Sequence, residues 1–489
     1  MKNRTPLLPG FHLPTLRRKP RSEQQILSEK LQQIKQKTFG QLSECLGRFI
    51  PRQHIQQSES GPSSRRRFYS KENTFWAFLS QILDADGGCK EVVRKLQAYA
   101  ALKRQPLPSI STSAYCQARK KLDLPSLEAI LAHTAEQLDY ISDKNYLNGR
   151  RVIVVDGTGV SMPDTTENQL VWPQQKLQKP GCGFPVASIC ACFCLQTGGL
   201  LSYQIGNRKS SEQAMLRKQW DTFKAGDIFL GDKGFCGFYD INSLKTRGVD
   251  SVVTVARRKP VTAKESLQVL GNNDLLIQWK KPVRNKNSSY SKADWDALPE
   301  ALTLRQIKVS VNQPGFRVSE FYIVTTLLDA SEYTAADIAD LYLQRWDVEL
   351  NFRDLKTTMG MDILRCKTPE MINKEIIMHF IAYNCIRSLL VEIAKKEKVT
   401  VRRISFKGSV QALRQWEPHL NQIESNTKER SKLINSLHSA IVEYIVPERP
   451  GRSEPRAVKR RPKPYQLLTS PRAEMKVSIH RGRKHAKAA

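Results

Sequence analysis

The run RVIVVDG at residues 151–157 decides the fold class, because its four consecutive apolar residues are followed by Asp156 and Gly157. A short apolar run that stops at a glycine is typical of a buried strand. Working outward, the sequence predicts a hairpin with its turn near Gly198 and Gly199, a helix over 211–223, a strand in DIFLGDKG (227–234), an intervening helix and a strand at 251–256. The predicted order is strand, hairpin, helix, strand, helix, strand.

This order favours an α/β fold whose mixed sheet lies between helices, as in ribonuclease-H-like folds. A helical crossover joins parallel strands, so the strands that end in Asp156 and Asp232 should finish at the same edge of the sheet. We therefore expect both carboxylates to face one crevice. Asp164 and Asp227 are poorer candidates, since one lies in a turn and the other precedes its strand. Taken alone, each aspartate could equally be a turn residue that ends a strand.

A second stretch, YLQRWDVELNFRDLK at 342–356, predicts a helix with a polar stripe. At about 100° per residue, four polar side chains fall within roughly 60° of arc; they are Tyr342, Arg345, Glu349 and Lys356. The alternative is a solvated helix face with ion pairs four residues apart. Apolar residues on both sides favour a stripe that faces a site; they are Leu341, Val348 and Phe352 on one border and Leu343, Trp346 and Leu350 on the other.

Three carboxylates around one crevice, those of Asp156, Asp232 and Glu349, predict a site for hard divalent cations. Magnesium prefers carboxylate oxygens and waters and leaves the rest of its octahedron for phosphate. Two such ions about 4 Å apart can activate a nucleophile and stabilise the leaving oxygen of a phosphodiester. The shared carboxylate would be that of Asp156, and Arg345 and Lys356 would grip phosphates beside the ions.

The charge of the chain predicts a polyanionic partner. Its 489 residues contain 78 Lys plus Arg against 47 Asp plus Glu, a net charge of +31. Nucleic acid is the commonest such partner, and association with ribosomes or a membrane surface is the weaker interpretation. With no secretory signal or long apolar run, the sequence predicts a cytosolic or nucleoid-bound protein. The ten cysteines show no CxxC pair, and Cys190, Cys192 and Cys194 are expected to pack as small apolar residues.

The spacing YxxRxxxExxxxxxK, with DGT and GDKGF upstream, resembles the DDE transposases of bacterial insertion sequences, in particular the cut-and-paste, IS-four-like group with the Y-R-E-K signature. The resemblance covers roughly residues 75–400. It implies catalytic Asp156, Asp232 and Glu349, a ribonuclease-H-like core, and Mg²⁺ with Mn²⁺ as a substitute. It also implies double-stranded DNA partners, namely terminal inverted repeats and target DNA, a homodimer in the DNA complex, no membrane, and a place in the bacterial cytoplasm near the nucleoid.

We divide the chain into six regions on this basis. They are a basic, partly helical arm (1–70, with a helix near 22–47), a helical DNA-binding region (71–148), the first part of the core (149–257), an inserted β-rich domain (258–330), the Glu349 helix and end of the core (331–400), and a helical C-terminal region with a basic tail (401–489). The alternative for 71–148 is a plain helical packing domain. The segment between Trp279 and Ala293 has five basic residues and no acid, which suits DNA or a solvated loop.

Two other functions remain open from the sequence. One is a ribonuclease-H-type nuclease or resolvase that cuts without joining. The other is a DNA-binding protein that has lost catalysis. The complete set of three carboxylates disfavours the second, and inverted repeats flanking the reading frame would distinguish a transposase from a nuclease.

Overall fold

The structure is a computed structural model that describes residues 45–56, 68–446, 468–471 and 474, with gaps inside the long range at 103, 105, 141–146, 148, 256–259, 286–287, 289, 311–319 and 424–426. The predicted helix near 22–47 and the basic tail from Arg449 therefore lie almost entirely outside the described residues.

Among the residues that the structure describes before the sheet, four α-helices follow one another, as the amphipathic pattern predicts. They are α1 (Lys71–Leu83), α2 (Cys89–Leu102), α3 (Ser113–Lys121) and α4 (Leu124–Tyr140). Ser70 begins α1 as its N-cap, with its side chain accepting from the Asn73 backbone N–H. Arg119 is buried on α3 and donates to Gln81 at 3.0 Å. Arg119 is therefore a packing residue rather than part of an exposed basic helix end, whereas Lys120 and Lys121 are exposed.

The central region has the predicted order of strands and helices, with one additional short helix at Thr166–Val171 between the first strand and the hairpin. It contains β1 (Val152–Ser161), α5 (Thr166–Val171), β2 (Val186–Cys194), β3 (Leu200–Gly206), α6 (Glu212–Arg217), β4 (Ile228–Gly231), α7 (Phe238–Thr246) and β5 (Asp250–Thr254). These strands lie in the order β3-β2-β1-β4-β5. The β1–β2 and β2–β3 pairs are antiparallel, and the β1–β4 and β4–β5 pairs are parallel. The sheet is mixed, as predicted.

A second group of strands extends the same sheet. The elements are β6 (Gln268–Gly271), β7 (Asp274–Lys280), α8 (Lys292–Asp296), β8 (Ala301–Ser310) and β9 (Glu320–Thr325). These four strands lie in 258–330, for which the sequence predicted an inserted β-rich domain. Because β9 pairs with β5, they continue the core sheet, which has nine strands among the described residues. Of the basic residues in 258–330, Lys281 and Arg284 donate to backbone carbonyls within the segment.

The remaining described helices cover one face of the sheet. They are α9 (Ala335–Leu343), α10 (Asp347–Arg353), α11 (Pro369–Glu397), α12 (Phe406–Gln422) and α13 (Lys428–Glu443). The 29-residue α11 is long and apolar enough to cross a membrane, but 94% of its most apolar window is buried inside the protein. It is the central core helix, and its contacts with α4 and β3 explain its composition.

The core lies on both faces of the sheet because successive strand residues point to opposite sides. Val152 and Val154 of β1 belong to the cluster that contains α11. Ile153 and Val155 pack on the other side with Phe229 and the neighbouring helices. The strands are therefore buried between two layers, which holds the residues at their carboxyl ends in fixed positions.

Candidate active site

Asp156 of β1 and Asp232, which directly follows β4, lie at the same level of two neighbouring parallel strands. Val154 of β1 pairs with Leu230 of β4, and each aspartate follows two residues later. One oxygen of each carboxylate accepts from a nearby backbone N–H, at 2.8 Å from Gly157 and 2.7 Å from Gly234. This agrees with the predicted common crevice.

The prediction that β1 ends at Asp156 is wrong. The strand continues to Ser161, because its antiparallel pairing with β2 extends as far as Ser161 opposite Val186. Only the parallel pairing with β4 stops before Asp156. Asp156 therefore stands inside a strand, at the point where the sheet splits and leaves space beside it.

Arg345 and Glu349 come to this space from the other side of the crevice. The Arg345 guanidinium lies 3.7 Å from an Asp156 oxygen and 3.9 Å from a Glu349 oxygen. The Arg345 side chain is 10% exposed, and that of Glu349 is 51% exposed. A single buried cation thus connects the strand carboxylate with the helix carboxylate.

The segment 342–356 is not the single regular α-helix that the stripe assumed. Between α9 and α10 the chain forms a 3₁₀ turn at Gln344–Trp346, and after α10 it widens into a π turn at Asp354–Thr358. π turns are rare and occur frequently at functional sites. Lys356 lies in this turn, and its ammonium donates to the Thr158 hydroxyl of β1 at 3.2 Å. Lys356 is therefore beside the Asp156 strand.

One of the two predicted apolar borders is not packed. Leu341, Val348 and Phe352 are buried, but Trp346 and Leu350 are 44% and 45% exposed. The irregular turns rotate these two residues away from the core, and the Trp346 ring instead lies 5.1 Å from the Arg345 guanidinium carbon. The polar stripe has a packed border on one side and an open one on the other.

Tyr342 is more enclosed than the other three stripe residues. It is 7% exposed, and its hydroxyl lies 2.9 Å from the Thr254 hydroxyl at the end of β5. Burial raises the pKa of the phenol. Tyr342 therefore connects α9 to the sheet beneath the crevice.

A residue that sequence reasoning missed, Arg387, holds α10 in place. It lies buried on α11 and donates to Asn351 at 3.0 Å, Asp354 at 3.1 Å and the Tyr383 hydroxyl at 3.0 Å. An arginine inside an apolar helix was a usable signal, because a buried charge requires a partner. Two of these partners, Asn351 and Asp354, lie more than 30 positions earlier in the chain, and the third, Tyr383, lies one helical turn earlier.

The electrostatics of the crevice are dominated by crowded acids. Burial raises the pKa of Asp156, the Gly157 N–H and Arg345 lower it, and the charges of Asp232 and Glu349 raise it further. A fourth acid that was not predicted, Glu212 of α6, also has a raised pKa, from burial and from Asp156 and Asp232. A glutamate after a serine N-cap is common, so the sequence around Glu212 gave no signal.

Carboxylate oxygens are the donors that hard divalent cations prefer, so the chemistry of this donor set fits such an ion. Within the described part of the chain, no group of three or more His, Cys, Asp or Glu side chains forms a ready-made metal cage. The acids raise each other's pKa across one crevice. Their side chains would have to move closer to one another to bind the same ion.

Comparisons with known proteins identify what this chain is similar to. The family described as a transposase DDE domain matches residues 147–385, a range that includes all six predicted site residues. The transposase InsG of insertion sequence element IS4 from Escherichia coli K12 is 25% identical over 426 residues, covering 86% of this chain and 92% of InsG. The transposase of element IS231F from Bacillus thuringiensis subsp. israelensis is 21% identical over 343 residues, covering 61% and 69%. A solved piggyBac transposase synaptic complex with hairpin DNA aligns with a TM-score of 0.41 at 10% identity, covering 86% and 84%.

The chain belongs to the DDE transposases of insertion sequences. Members of this family bind DNA, use divalent metal ions, and cleave and join DNA strands. The match favours this function over the nuclease and over the inactive DNA-binding protein that the sequence left open.

Proposed function

We propose that Asp156, Asp232 and Glu349 hold the divalent ions with which this transposase cleaves and joins DNA. The ions would be Mg²⁺, with Mn²⁺ as a substitute. Asp156 is the shared ligand in this proposal, since the strand register brings Asp232 beside it and Arg345 links it to Glu349 of α10. The observation that carries the proposal is this convergence on Asp156, from the register of β1 and β4 and from the Arg345 bridge to Glu349.

The chain's own residues supply orientation. One oxygen of each aspartate is fixed by a backbone N–H, so the carboxylate cannot rotate freely and its other oxygen is presented to the crevice. When bound, paired divalent ions activate the attacking hydroxyl or water and stabilise the leaving oxygen. The more exposed Glu349 side chain can move toward an ion without breaking a hydrogen bond of the described chain.

Arg345 and Lys356 are proposed to hold phosphates beside the ions. Both cations lie against β1, Arg345 at Asp156 and Lys356 at Thr158, so a DNA backbone in the crevice would meet both. Charge-assisted contacts to phosphate are stronger than neutral hydrogen bonds. Tyr342 belongs to the same wall, and its contact with Thr254 supports a positioning role under Arg345 over direct phosphate binding.

The strand order supports a ribonuclease-H-like core, with three antiparallel strands followed by two parallel ones. Together with this core, we propose the division of the chain into the six regions predicted from the sequence. In this division the helical region at 71–148 and the basic tail contact DNA. The DNA would be the terminal inverted repeats of the element and the target. A homodimer is part of the proposal, because an element has two ends and each chain has one such site. We place the protein, in this proposal, in the bacterial cytoplasm near the nucleoid.

The experiment compares Asp156→Asn, Asp232→Asn and Glu349→Gln with the unaltered protein on a terminal-repeat duplex. Each variant should lose strand cleavage and joining with Mg²⁺ and Mn²⁺ while keeping its DNA affinity within a few-fold, since ligands act in chemistry and basic residues supply affinity. Asp164→Asn is the matched control, because it removes an exposed aspartate near the end of β1. Near-normal cleavage by Glu349→Gln would assign the third ligand to another residue.

A further inference from the structure

A cavity of about 270 Å³ lies where the N-terminal helices meet the core. Its walls come from the end of α1, the π turn that carries Lys356, and the helices α11 and α12. The lining residues that give the cavity its charge and polarity are Asp84, Arg365, Glu375, His379, Lys407 and Arg414. The three proposed ion ligands do not line it, so this cavity is separate from the crevice.

Three cations line the cavity from two segments of the chain. Arg365 comes from the loop before α11, and Lys407 and Arg414 come from α12. Arg414 donates through its Nε to the Leu83 carbonyl. Burial lowers the pKa of the Arg414 guanidinium more than the charge of Asp84 raises it, so the protein compensates this cation incompletely.

The two acids that line the cavity have other partners. Asp84 pairs with Lys95 at 3.0 Å. Both oxygens of Glu375 accept from the backbone N–H of Arg365 at 3.0 Å. Asp86 lies 3.9 Å from the Arg365 guanidinium but is 83% exposed, and a contact of this kind is weak. The cations of the cavity are therefore available to an additional anion.

His379 of α11 is the buried polar group of the cavity. Its side chain belongs to a residue that is 4% exposed, and its Nδ1 has no hydrogen-bond partner within the described residues. Burial and the positive charge of Arg365 lower the pKa of the ring to about 3, so the ring is neutral at pH 7. A neutral imidazole that is protonated at Nδ1 can donate to an oxygen. Leaving such a buried atom without a partner is unfavourable, and a ligand oxygen in the cavity would remove that penalty.

We propose that this cavity binds a phosphate group between the His379 ring and the three cations. Phosphate supplies a negative charge and several acceptor oxygens, and arginine can bind it through two parallel hydrogen bonds. A DNA backbone and a free phosphate anion both carry this group. Because Thr358 of the π turn also lines the cavity, the bound phosphate would connect the N-terminal helices with the turn that carries Lys356.

The test measures binding of inorganic phosphate to the full-length protein by isothermal titration calorimetry at low ionic strength, without DNA or divalent ions. Arg414→Gln should weaken binding by about 10- to 100-fold, as expected for a lost hydrogen bond between charged groups. Lys407→Gln should weaken it by a smaller factor, and this exposed position puts folding at little risk. Lys432→Gln is the matched control, because it removes an exposed lysine of α13 and should leave binding unchanged. A thermal melt verifies that each variant is folded.

A second titration identifies the source of the phosphate. It measures the affinity for the terminal-repeat duplex over a range of salt concentrations. If a DNA phosphate enters the cavity, Arg414→Gln should flatten the slope of log affinity against log salt concentration by about 0.9, and the duplex should displace inorganic phosphate. If a free anion is the ligand, Arg414→Gln should weaken phosphate binding and leave this slope unchanged.

Both of these results support the site, and two others would overturn it. One is that Arg414→Gln and Lys407→Gln change neither phosphate binding nor the salt slope. The other is that Lys432→Gln weakens phosphate binding as much as they do, which would show attraction by the net charge of +31 alone. Asp156→Asn should not affect phosphate binding, so failure of this inference leaves the proposed ion site standing.

Discussion

Replacing Arg345 distinguishes a structural role for the polar stripe from a chemical one. Its guanidinium lies 3.7 Å from Asp156 and 3.9 Å from Glu349, which is too far for good hydrogen bonds. Its Nε is buried and has no hydrogen-bond partner within the described residues. Arg345→Gln therefore removes a buried cation that the protein itself satisfies incompletely.

The expected loss of folding stability is small. Two unit charges about 4 Å apart attract by about 4 kcal/mol at an effective dielectric constant near 20. The cost of burying the guanidinium and the exposure of Glu349 offset most of this, which leaves a net contribution on the order of 1 kcal/mol. The melting temperature should fall by about 1 °C, because the unfolding entropy of a chain of this length is about 1 kcal/mol/K. Losing a contact to charge that develops in the transition state has a larger effect: it raises the activation free energy by about 3–4 kcal/mol, which slows the reaction by 10²- to 10³-fold.

The assay is single-turnover strand cleavage of a terminal-repeat duplex at saturating Mg²⁺, beside a thermal melt and a DNA-binding titration. Arg345→Gln should cleave about 10²- to 10³-fold more slowly, with DNA affinity nearly unchanged. Arg345→Lys should recover part of the rate, because it restores charge without the planar fork. Arg353→Gln, which replaces an exposed arginine of the neighbouring α10, is the control. Cleavage within threefold of normal by Arg345→Gln would refute the idea that this guanidinium holds a phosphate during the reaction.

Three further predictions concern charge and burial elsewhere. Deleting 449–489, which carries thirteen basic and two acidic residues, should weaken DNA binding and flatten its salt dependence by about 0.9 log units per lost phosphate contact; an unchanged slope would show that the tail does not contact DNA. Arg305 is fully buried and pairs with Asp274. In urea unfolding, Arg305→Met should lower the free energy of unfolding by about 3–5 kcal/mol, because it leaves the Asp274 charge unpaired, and the double variant Arg305→Met with Asp274→Leu should lower it much less. Equal losses in the two variants would contradict this. Burial raises the folded-state pKa of Asp156 above its ordinary 3.8, so the ionised carboxylate destabilises the folded protein at pH 7. Asp156→Asn should therefore raise the metal-free melting temperature at pH 7, and this gain should fade as the pH falls through the raised pKa toward 3.8. A lower melting temperature of the variant at pH 7 would be evidence against this reasoning.

The parts of the site that the sequence predicted are those governed by short-range rules. The apolar runs at 151–157 and 227–234 predict parallel strands, and parallel strands place Asp156 and Asp232 at one level. The spacing of Arg345 and Glu349 by one helical turn predicts that they are neighbours, and their ion pair confirms it. These inferences need only local periodicity and the direction of a crossover.

The parts that could not be predicted depend on contacts between distant segments. Gly157 suggested a strand end, but pairing with β2, more than 25 residues later, keeps the chain extended to Ser161. The pairing of β5 with β9 spans about 70 residues, so the continuity of the nine-stranded sheet had no local signal. The π turn that places Lys356 beside Thr158 likewise depends on packing, because its sequence is compatible with an ordinary helix end.

The crevice concentrates features that reduce stability, and the helical core beneath it compensates for them. Gly157 weakens a strand interior, the π and 3₁₀ turns interrupt a helix, and desolvated Asp156 lies among other acids, each at a cost on the order of 1 kcal/mol. Beneath them, α11 is buried along most of its length, and Arg387 fixes α10 through Asn351 and Asp354. This layer, together with the Arg345 cation between Asp156 and Glu349, holds the acids close together. We therefore expect Arg387→Met to disturb the catalytic geometry through the position of Glu349, although Arg387 lies in the core and contacts no carboxylate of the proposed ion site.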